Sequence, residues 1–180
     1  MHSNNYNRFT YIDNLNQEQI LKIDKNVDLI LRNYKNNFKN NELINFVKFC
    51  KKNKKRIFLT NDIKRAKNLK FNGVYIPSFN KLALNYKIGI KKEFKVLGSA
   101  HNIREVIIKK NQKVNIIFLS PLFKSNNKKK FLGVVKFNLI RIKFKKKFIA
   151  LGGINNMNIN FLKMTDVYGY AGINNFQTNI

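Results

Sequence analysis

Two glycine turns near the C-terminal end of the chain combine residues that could bind a phosphate. The first turn covers residues 150–155 and carries Gly152 and Gly153, and the second covers residues 169–176. Each turn follows or includes a short apolar run, which is typical of a buried strand. Glycine permits a sharp turn and leaves backbone N–H groups bare, and such groups bind anions where a strand leads into a helix. Two turns of this kind on consecutive strands predict a phosphate site, although either turn alone could simply end a strand.

Strands and helices alternate along the whole chain and form about eight strand–helix units. Strict alternation implies a parallel sheet with right-handed crossovers, and eight units favour a closed barrel over an open sheet. We therefore predict a compact (β/α)8 barrel that forms a single domain over residues 1–180. The predicted strands are 9–12, 27–31, 57–60, 73–76, 95–98, 115–119, 148–151 and 170–173, and the predicted helices are 17–23, 41–53, 63–68, 103–110, 134–141 and 159–164.

Polar and charged residues follow the predicted strands, at ends that meet at one mouth in a barrel of this type. The set is cationic and has one carboxylate suited to a hard cation, that of Asp62. Plainer interpretations stay open, because Asp62 and Asn102 could cap helices and Arg32 could form a surface ion pair. The candidate site residues are Arg32, Asn61, Asp62, Ser99, His101, Ser125, Asn127, Lys128, Gly152, Gly153, Gly172, Ile173 and Asn174.

The composition limits the classes of protein to consider. A net charge of +27 suggests nucleic-acid binding, but the positive residues are mostly Lys and are spread over the chain. Base readout favours Arg, so we keep a basic nucleic-acid-binding protein only as an alternative and expect no specific nucleic acid. The single cysteine, Cys50, fits a reducing compartment and is expected to be buried. No secretion signal or membrane span is visible, which predicts a cytoplasmic protein without a membrane partner.

Five short motifs and the two glycine turns occur in order between Val27 and Phe176. They are Arg32 at the end of a strand, Leu59-Thr60-Asn61-Asp62, residues 73–80, Ser99-Ala100-His101, residues 120–128, and the two glycine turns. Together they resemble the thiamine phosphate synthase and TenI family. The resemblance implies condensation of hydroxymethylpyrimidine diphosphate with thiazole phosphate, with help from Mg²⁺.

The resemblance also implies roles for individual residues. Ser99, His101 and Lys128 would be catalytic, and Asp62 would bind Mg²⁺. Arg32, Asn61, Ser99 and Lys128 would hold the diphosphate. The thiazole phosphate would lie against Ser125, Asn127, Gly152, Gly153, Gly172, Ile173 and Asn174. The expected partners are these two small substrates, and the oligomeric state is left open, with a homo-oligomer among the options.

Three positions depart from the family pattern. Ile30 replaces a glutamine, Tyr34 replaces a lysine, and Asn80 replaces a carboxylate that would help to hold Mg²⁺. These changes weaken the diphosphate and cation sites. The TenI branch of the family is a thiazole tautomerase, which needs a proton shuttle at the position of His101. A tautomerase and a non-catalytic phosphate-binding barrel therefore stay open beside the synthase.

Overall fold

Eight parallel strands close into a barrel in the computed structural model of the chain, which describes residues 6–35, 37–83, 93–124 and 130–172. Each strand pairs with its neighbours in chain order, and the eighth strand returns to pair with the first. The predicted (β/α)8 barrel is confirmed. The strands are β1 Asn7–Ile12, β2 Val27–Leu31, β3 Ile57–Thr60, β4 Gly73–Ile76, β5 Lys95–Ala100, β6 Ile116–Leu119, β7 Lys147–Leu151 and β8 Gly169–Gly172.

Helices lie outside the barrel, and three of them begin at a polar capping residue. The side chains of Asn16, Asp62 and Asn102 each accept a hydrogen bond from a backbone N–H three residues later. Such a cap satisfies an N–H group that has no partner within the helix. The helices are α1 Gln17–Leu21, α2 Asn40–Lys52, α3 Ile63–Asn68, α4 Ile103–Asn111, α5 Gly133–Phe144 and a 3₁₀ helix over Ile159–Met164.

The core has two layers, because successive side chains of a strand point to opposite faces of the sheet. One layer lies between the strands and the helices; there α2 contributes Leu43, Phe46, Val47 and Cys50, which share one face of that helix. Cys50 is fully buried, as predicted. The other layer fills the barrel interior and takes at least one residue from every strand: Phe9, Ile30, Phe58, Tyr75, Leu97, Ile116, Phe118, Ile149 and Ala171.

A glycine allows the barrel to close. Gly169 pairs with Asn7 where β8 meets β1. A Cβ atom at Gly169 would lie 1.9 Å from the carbonyl oxygen of Asn7, so no other residue fits there without moving a strand.

The bounds of several predicted elements differ from those of the structure. β5 continues to Ala100, so Ser99 lies within the strand and does not follow it. The short helix predicted at 159–164 has the predicted bounds and is of the 3₁₀ type. Within the described ranges, no helix is both long and apolar enough to cross a bilayer.

Candidate active site

The candidate residues that the structure describes lie at the end of the barrel where the strands finish. Several strands contribute, so residues far apart in sequence share one rim. Arg32 directly follows β2, Asn61 and Asp62 follow β3, Ser99 and His101 lie at the end of β5, Gly152 and Gly153 follow β7, and Gly172 ends β8. Ser125, Asn127, Lys128, Ile173 and Asn174 lie outside the described residues.

Arg32 forms a two-pronged ion pair with Asp13, the residue after β1. Its Nε donates to Asp13 Oδ1 at 2.7 Å and its Nη2 donates to Oδ2 at 2.5 Å. The hydrogen bonds and charge of Asp13 raise the pKa of Arg32. The guanidinium carbon also lies 5.3 Å from the centre of the Tyr11 ring, a distance at which the cation is attracted to the ring face. Arginine has five N–H groups and this pair uses two, so others can still donate to an anion.

Asp13 belongs to the rim but was missed in the sequence. The signal that could have identified it is the same one that identified Arg32, a charged residue directly after a predicted strand. The first predicted strand is short and weakly apolar, which hid this signal. The alternative interpretation of Arg32 as half of an ion pair is what the structure shows.

The corner after β3 combines an unusual backbone with two polar side chains. Asn61 has φ of 67°, a left-handed conformation that asparagine adopts more readily than most residues. Its Oδ1 accepts a hydrogen bond from Asn80 Nδ2 at 2.6 Å. The orientation of the Asn80 amide is fixed because its own Oδ1 accepts from the backbone N–H of Leu82 at 3.0 Å.

The same corner supplies limited ligands for a cation. Asp62 caps α3, where its Oδ1 accepts from the backbone N–H of Arg65 at 2.8 Å. The alternative interpretation of Asp62 as a cap is therefore confirmed, and its second carboxylate oxygen remains for a ligand. No cluster of three or more Asp, Glu, His or Cys side chains occurs in the part of the chain that the structure describes. Mg²⁺ is commonly held by one or two carboxylates together with substrate phosphates, so Asp62 fits a cation only with help from a substrate.

Ser99 points into the barrel, where it joins a pair of tyrosines. The hydroxyl groups of Tyr11 and Tyr75 lie 3.0 Å apart, and Tyr75 is also hydrogen-bonded to the Ser99 side chain. Burial raises the pKa of Tyr75 to about 12 and raises the pKa of Tyr11 well above its usual range. Both tyrosines are thus neutral near pH 7. Ser99 is only 6% exposed, so its hydroxyl forms the floor of the mouth.

His101 stands at the start of α4 with its ring held by a carboxylate. Glu105 Oε2 lies 2.9 Å from His101 Nδ1 and also accepts from the His101 backbone N–H at 2.8 Å. Burial raises the pKa of Glu105, but the hydrogen bonds from His101 outweigh this and hold that pKa below its usual value. The His101 side chain is 35% exposed, so a ligand can reach the ring. Asn102 caps α4, which confirms the alternative prediction that this residue is a helix cap.

The turn after β7 needs its glycines. Gly152 and Gly153 have φ of 90° and 71°, and a Cβ atom at Gly153 would lie 2.5 Å from the carbonyl oxygens of both Phe123 and Lys124. Neither glycine donates its backbone N–H to a residue within the described ranges. On the neighbouring strand, the Gly172 carbonyl accepts from Thr10 Oγ1 at 2.9 Å. This geometry is compatible with a phosphate beside bare N–H groups.

Two of the three substituted positions, Ile30 and Tyr34, make apolar contacts. Ile30 is fully buried in the barrel interior. The ring of Tyr34 packs edge-on against Phe79, with 5.6 Å between the ring centres. Neither residue can donate the hydrogen bonds of the glutamine and lysine expected there, apart from the single hydroxyl of Tyr34.

Comparison with known proteins gives one family and many similar folds. The model of the family described as "Thiamine monophosphate synthase" matches residues 18–176. A thiamine-phosphate synthase of Prochlorococcus marinus is 34% identical over 83 residues, which are 44% of this chain and 24% of that protein. The match thus spans about a quarter of the length of this relative.

Solved structures share the fold at low identity. A thiamine phosphate pyrophosphorylase from Pyrococcus furiosus superposes with a TM-score of 0.63 at 14% identity, over 93% of this chain and 85% of that one. A glycerol uptake operon antiterminator regulatory protein from Listeria monocytogenes gives 0.64 at 14% identity, with 95% and 94% covered. An HpcH/HpaI aldolase from Desulfitobacterium hafniense gives 0.67 at 9% identity, with 92% and 85% covered. At these identities the similarity shows the barrel fold alone.

Proposed function

Because the chain belongs to the thiamine monophosphate synthase family, we propose that it condenses hydroxymethylpyrimidine diphosphate with thiazole phosphate. Family membership supports a role in thiamine biosynthesis. In the proposed reaction, the bond between the pyrimidine methylene carbon and the diphosphate oxygen breaks, and diphosphate leaves with the electron pair. The thiazole nitrogen then forms the new C–N bond with its own lone pair. The products are thiamine phosphate and diphosphate.

The observation that carries this proposal is the set of polar groups at the ends of the adjacent strands β2 and β3. Arg32 has unused N–H groups, and Asn61 has an amide nitrogen that its contact with Asn80 leaves open. These donors would hold the diphosphate and stabilise the negative charge that grows on it as it departs. Ser99 would contribute a hydroxyl from the floor of the mouth, and Lys128 a further cation.

The second substrate would bind on the opposite side of the rim. The N–H groups of Gly152 and Gly153, for which no described residue is an acceptor, would hold the thiazole phosphate, beside Gly172 at the end of β8. Ser125, Asn127, Ile173 and Asn174 would complete this side by resemblance to the family. Two anionic groups would then face each other across the mouth, with the reacting carbon and nitrogen between them.

Asp62 would hold Mg²⁺ together with oxygens of the bound diphosphate. When bound, the ion would shield the charge of the leaving group. The single carboxylate predicts a weak cation site.

A thiazole tautomerase is the second candidate, and the geometry of His101 favours it. Glu105 accepts from Nδ1, which leaves Nε2 of the neutral ring as a proton acceptor on an exposed side chain. That nitrogen could take a proton from the substrate and return it. This reaction needs no diphosphate site and no metal, so the losses at Ile30, Tyr34 and Asn80 would not impair it.

The test is to assay both reactions with purified protein, with and without a chelator, in three variants. Asp62→Asn keeps the helix cap, because asparagine also caps helices, but removes the carboxylate. Asp62→Ala removes both, and His101→Gln removes the imidazole ring. Under the synthase proposal, thiamine phosphate formation falls with chelation and falls equally in both Asp62 variants.

The outcomes separate the candidates. Turnover that is independent of metal and is lost only in His101→Gln would establish the tautomerase in place of the synthase. If neither reaction proceeds in the wild-type protein while thiazole phosphate still binds, the protein is a non-catalytic phosphate-binding barrel. Loss of activity in Asp62→Ala but not in Asp62→Asn would mean that Asp62 acts only as a cap.

A further inference from the structure

Lys109 is a charged side chain in a fully buried place. It lies in the last turn of α4 and has no exposed surface. Its aliphatic stem passes over Gly98 in β5, where a Cβ atom would lie 3.1 Å from Lys109 Cδ. Gly98 therefore leaves the room through which the lysine reaches the loop that follows the neighbouring strand, β4. Charged lysines are almost never fully buried without partners, so the partners of this one are informative.

Two of the partners are backbone carbonyl groups of the segment Pro77–Leu82, which follows β4 and which we call the β4 loop. The third is the side chain of Gln112. Lys109 Nζ donates to the carbonyl oxygens of Pro77 at 2.7 Å and Asn80 at 2.8 Å, and to Gln112 Oε1 at 2.9 Å. An ammonium group has three N–H donors, and here each has an acceptor. Gln112 adds hydrogen bonds from Nε2 to Asn80 O at 3.1 Å and Leu82 O at 2.6 Å. The end of α4 thus fixes the course of the β4 loop.

The β4 loop in turn contacts the rim. The side chain of Asn80 is held by the N–H of Leu82, and it donates to Asn61 Oδ1 at 2.6 Å. A chain of hydrogen bonds therefore runs from Lys109 through Asn80 to Asn61. Asn61 is the residue before Asp62, so the chain ends at the corner that would receive the diphosphate.

We propose that Lys109 is a positioning residue, which holds the β4 loop and through it the orientation of the Asn61 amide toward a diphosphate group. The proposal rests on the synthase function only for the identity of the diphosphate-bearing substrate. Burial lowers the pKa of Lys109. The negative charge of Glu105, one turn earlier in α4, offsets part of this effect by raising the same pKa. Without the ammonium, the carbonyl groups of Pro77 and Asn80 lose a donor, and the loop loses its fixed course.

The chain contains a matched control. Lys55 is 4% exposed and also donates to backbone carbonyls, those of Ile23 and Asp24. These contacts lie at the opposite end of the barrel, before β2 and β3 begin. Lys55→Met should therefore cost stability as Lys109→Met does, without any effect on the rim.

The experiment compares the wild type, Lys109→Met and Lys55→Met by three measurements. The first is hydrogen exchange of a peptide covering the β4 loop, where the amides of Asn80 and Leu82 are hydrogen-bonded. The second is calorimetric binding of inorganic diphosphate and of thiazole phosphate. The third is the KM for each substrate of the synthase reaction.

We expect exchange in the β4 loop to accelerate only in Lys109→Met. Diphosphate binding should weaken by about 10- to 100-fold in the same variant, since a small misplacement of a binding group has an effect of that size. Binding and KM of thiazole phosphate should not change. If Lys109→Met does not fold, Gln112→Met takes its place. It removes the bonds of Gln112 to Asn80 and Leu82 and the acceptor of one Lys109 N–H group, but keeps the bonds of Lys109 to Pro77 and Asn80, so we expect the same effects at smaller size.

Several results would overturn the inference. They are unchanged loop exchange in the folded variant, an equal effect of Lys55→Met, or equal weakening of both ligands. The proposed function fails separately: a wild-type protein that binds diphosphate but makes no thiamine phosphate is no synthase. The exchange and diphosphate measurements would still decide the role of Lys109.

Discussion

The glycine at position 153 offers a direct test of the turn that would bind thiazole phosphate. A Gly153→Ala substitution adds a Cβ atom to a residue with φ of 71°. A left-handed conformation costs an L-residue about 1–2 kcal/mol. The new atom would also lie 2.5 Å from two carbonyl oxygens, although ordinary contact begins at 3.4 Å. Moving that backbone aside adds about 1–3 kcal/mol, the usual cost of overpacking.

Gly133 supplies the control, because it has φ of 68° but a Cβ atom there would make only an ordinary contact, with a ring atom of Phe131 at 4.0 Å. Gly133→Ala should lower the free energy of unfolding only by the cost of the left-handed conformation, about 1–2 kcal/mol. The two variants should therefore differ by about 1–3 kcal/mol in the free energy of unfolding. For a chain of this size the difference corresponds to roughly 2–12 °C in Tm, which thermal unfolding by circular dichroism resolves.

Ligand binding provides the second half of this test. The displaced turn should bind thiazole phosphate at least about tenfold more weakly in Gly153→Ala, because the bare N–H groups move with it. Gly133→Ala should bind as the wild type does. Equal losses of stability in the two variants would refute the close approach of Gly153 to the Phe123–Lys124 backbone. Unchanged thiazole phosphate affinity in Gly153→Ala would place the phosphate elsewhere.

Three further predictions concern buried charge and the basic surface. Burial raises the pKa of the Cys50 thiol to about 12, so iodoacetamide at pH 8 should label Cys50 only after unfolding; labelling of the native protein would contradict its burial. Burial lowers the pKa of Lys109 to about 8, whereas an unfolded lysine titrates near 10.4. Between these values the unfolded chain binds more protons, so the free energy of unfolding should rise with pH by up to about 3 kcal/mol in urea titrations, and Lys109→Met should lack this rise. DNA binding, measured by fluorescence anisotropy, should be weak and should collapse with added salt; tight, sequence-selective binding at physiological salt would contradict the metabolic role.

Much of the barrel could be predicted because its strands are buried on both faces. β2, β3 and β4 are short, mostly apolar runs whose polar members, Asp28 in β2 and Thr60 in β3, are also buried, and their predicted bounds agree with the structure. Helix α5 was predicted too short, at 134–141 rather than Gly133–Phe144. Val135, Leu139 and Ile142 are apolar but exposed, so the helix has no clear polar face to mark its ends.

The contacts that organise the site could not be predicted, because they join residues far apart in sequence. Arg32 and Asp13 are 19 positions apart, and Lys109 lies 32 positions from Pro77. Strand ends indicate which residues share a rim, but they do not indicate which side chains pair there. A lysine within a helical pattern is ordinarily a solvated residue, and only the missing side chain of Gly98 allows this one to turn inward.

The pairing at the rim also decides which kind of ligand the β3 corner suits. Because Asn80 donates to Asn61 Oδ1, the oxygen of Asn61 is occupied and its amide N–H groups remain for a ligand. N–H groups bind anions and repel cations, so the corner offers donors to a diphosphate but only one carboxylate, that of Asp62, to a metal. A carboxylate at position 80 would reverse this balance by presenting oxygen atoms.

It follows that the protein itself should supply much of the diphosphate binding, with the cation needed mainly as charge develops on the leaving group. Chelation should therefore reduce kcat strongly and weaken the binding of inorganic diphosphate by less than about tenfold, a change of 1.4 kcal/mol. Arg32→Lys is the matched perturbation, because a lysine cannot keep the two-pronged contact with Asp13 and still donate to an anion in the same geometry. It should weaken diphosphate binding more than chelation does. If chelation abolishes diphosphate binding while Arg32→Lys leaves it unchanged, the metal and not the protein holds the diphosphate, and the role assigned to the Arg32 and Asn61 donors is wrong.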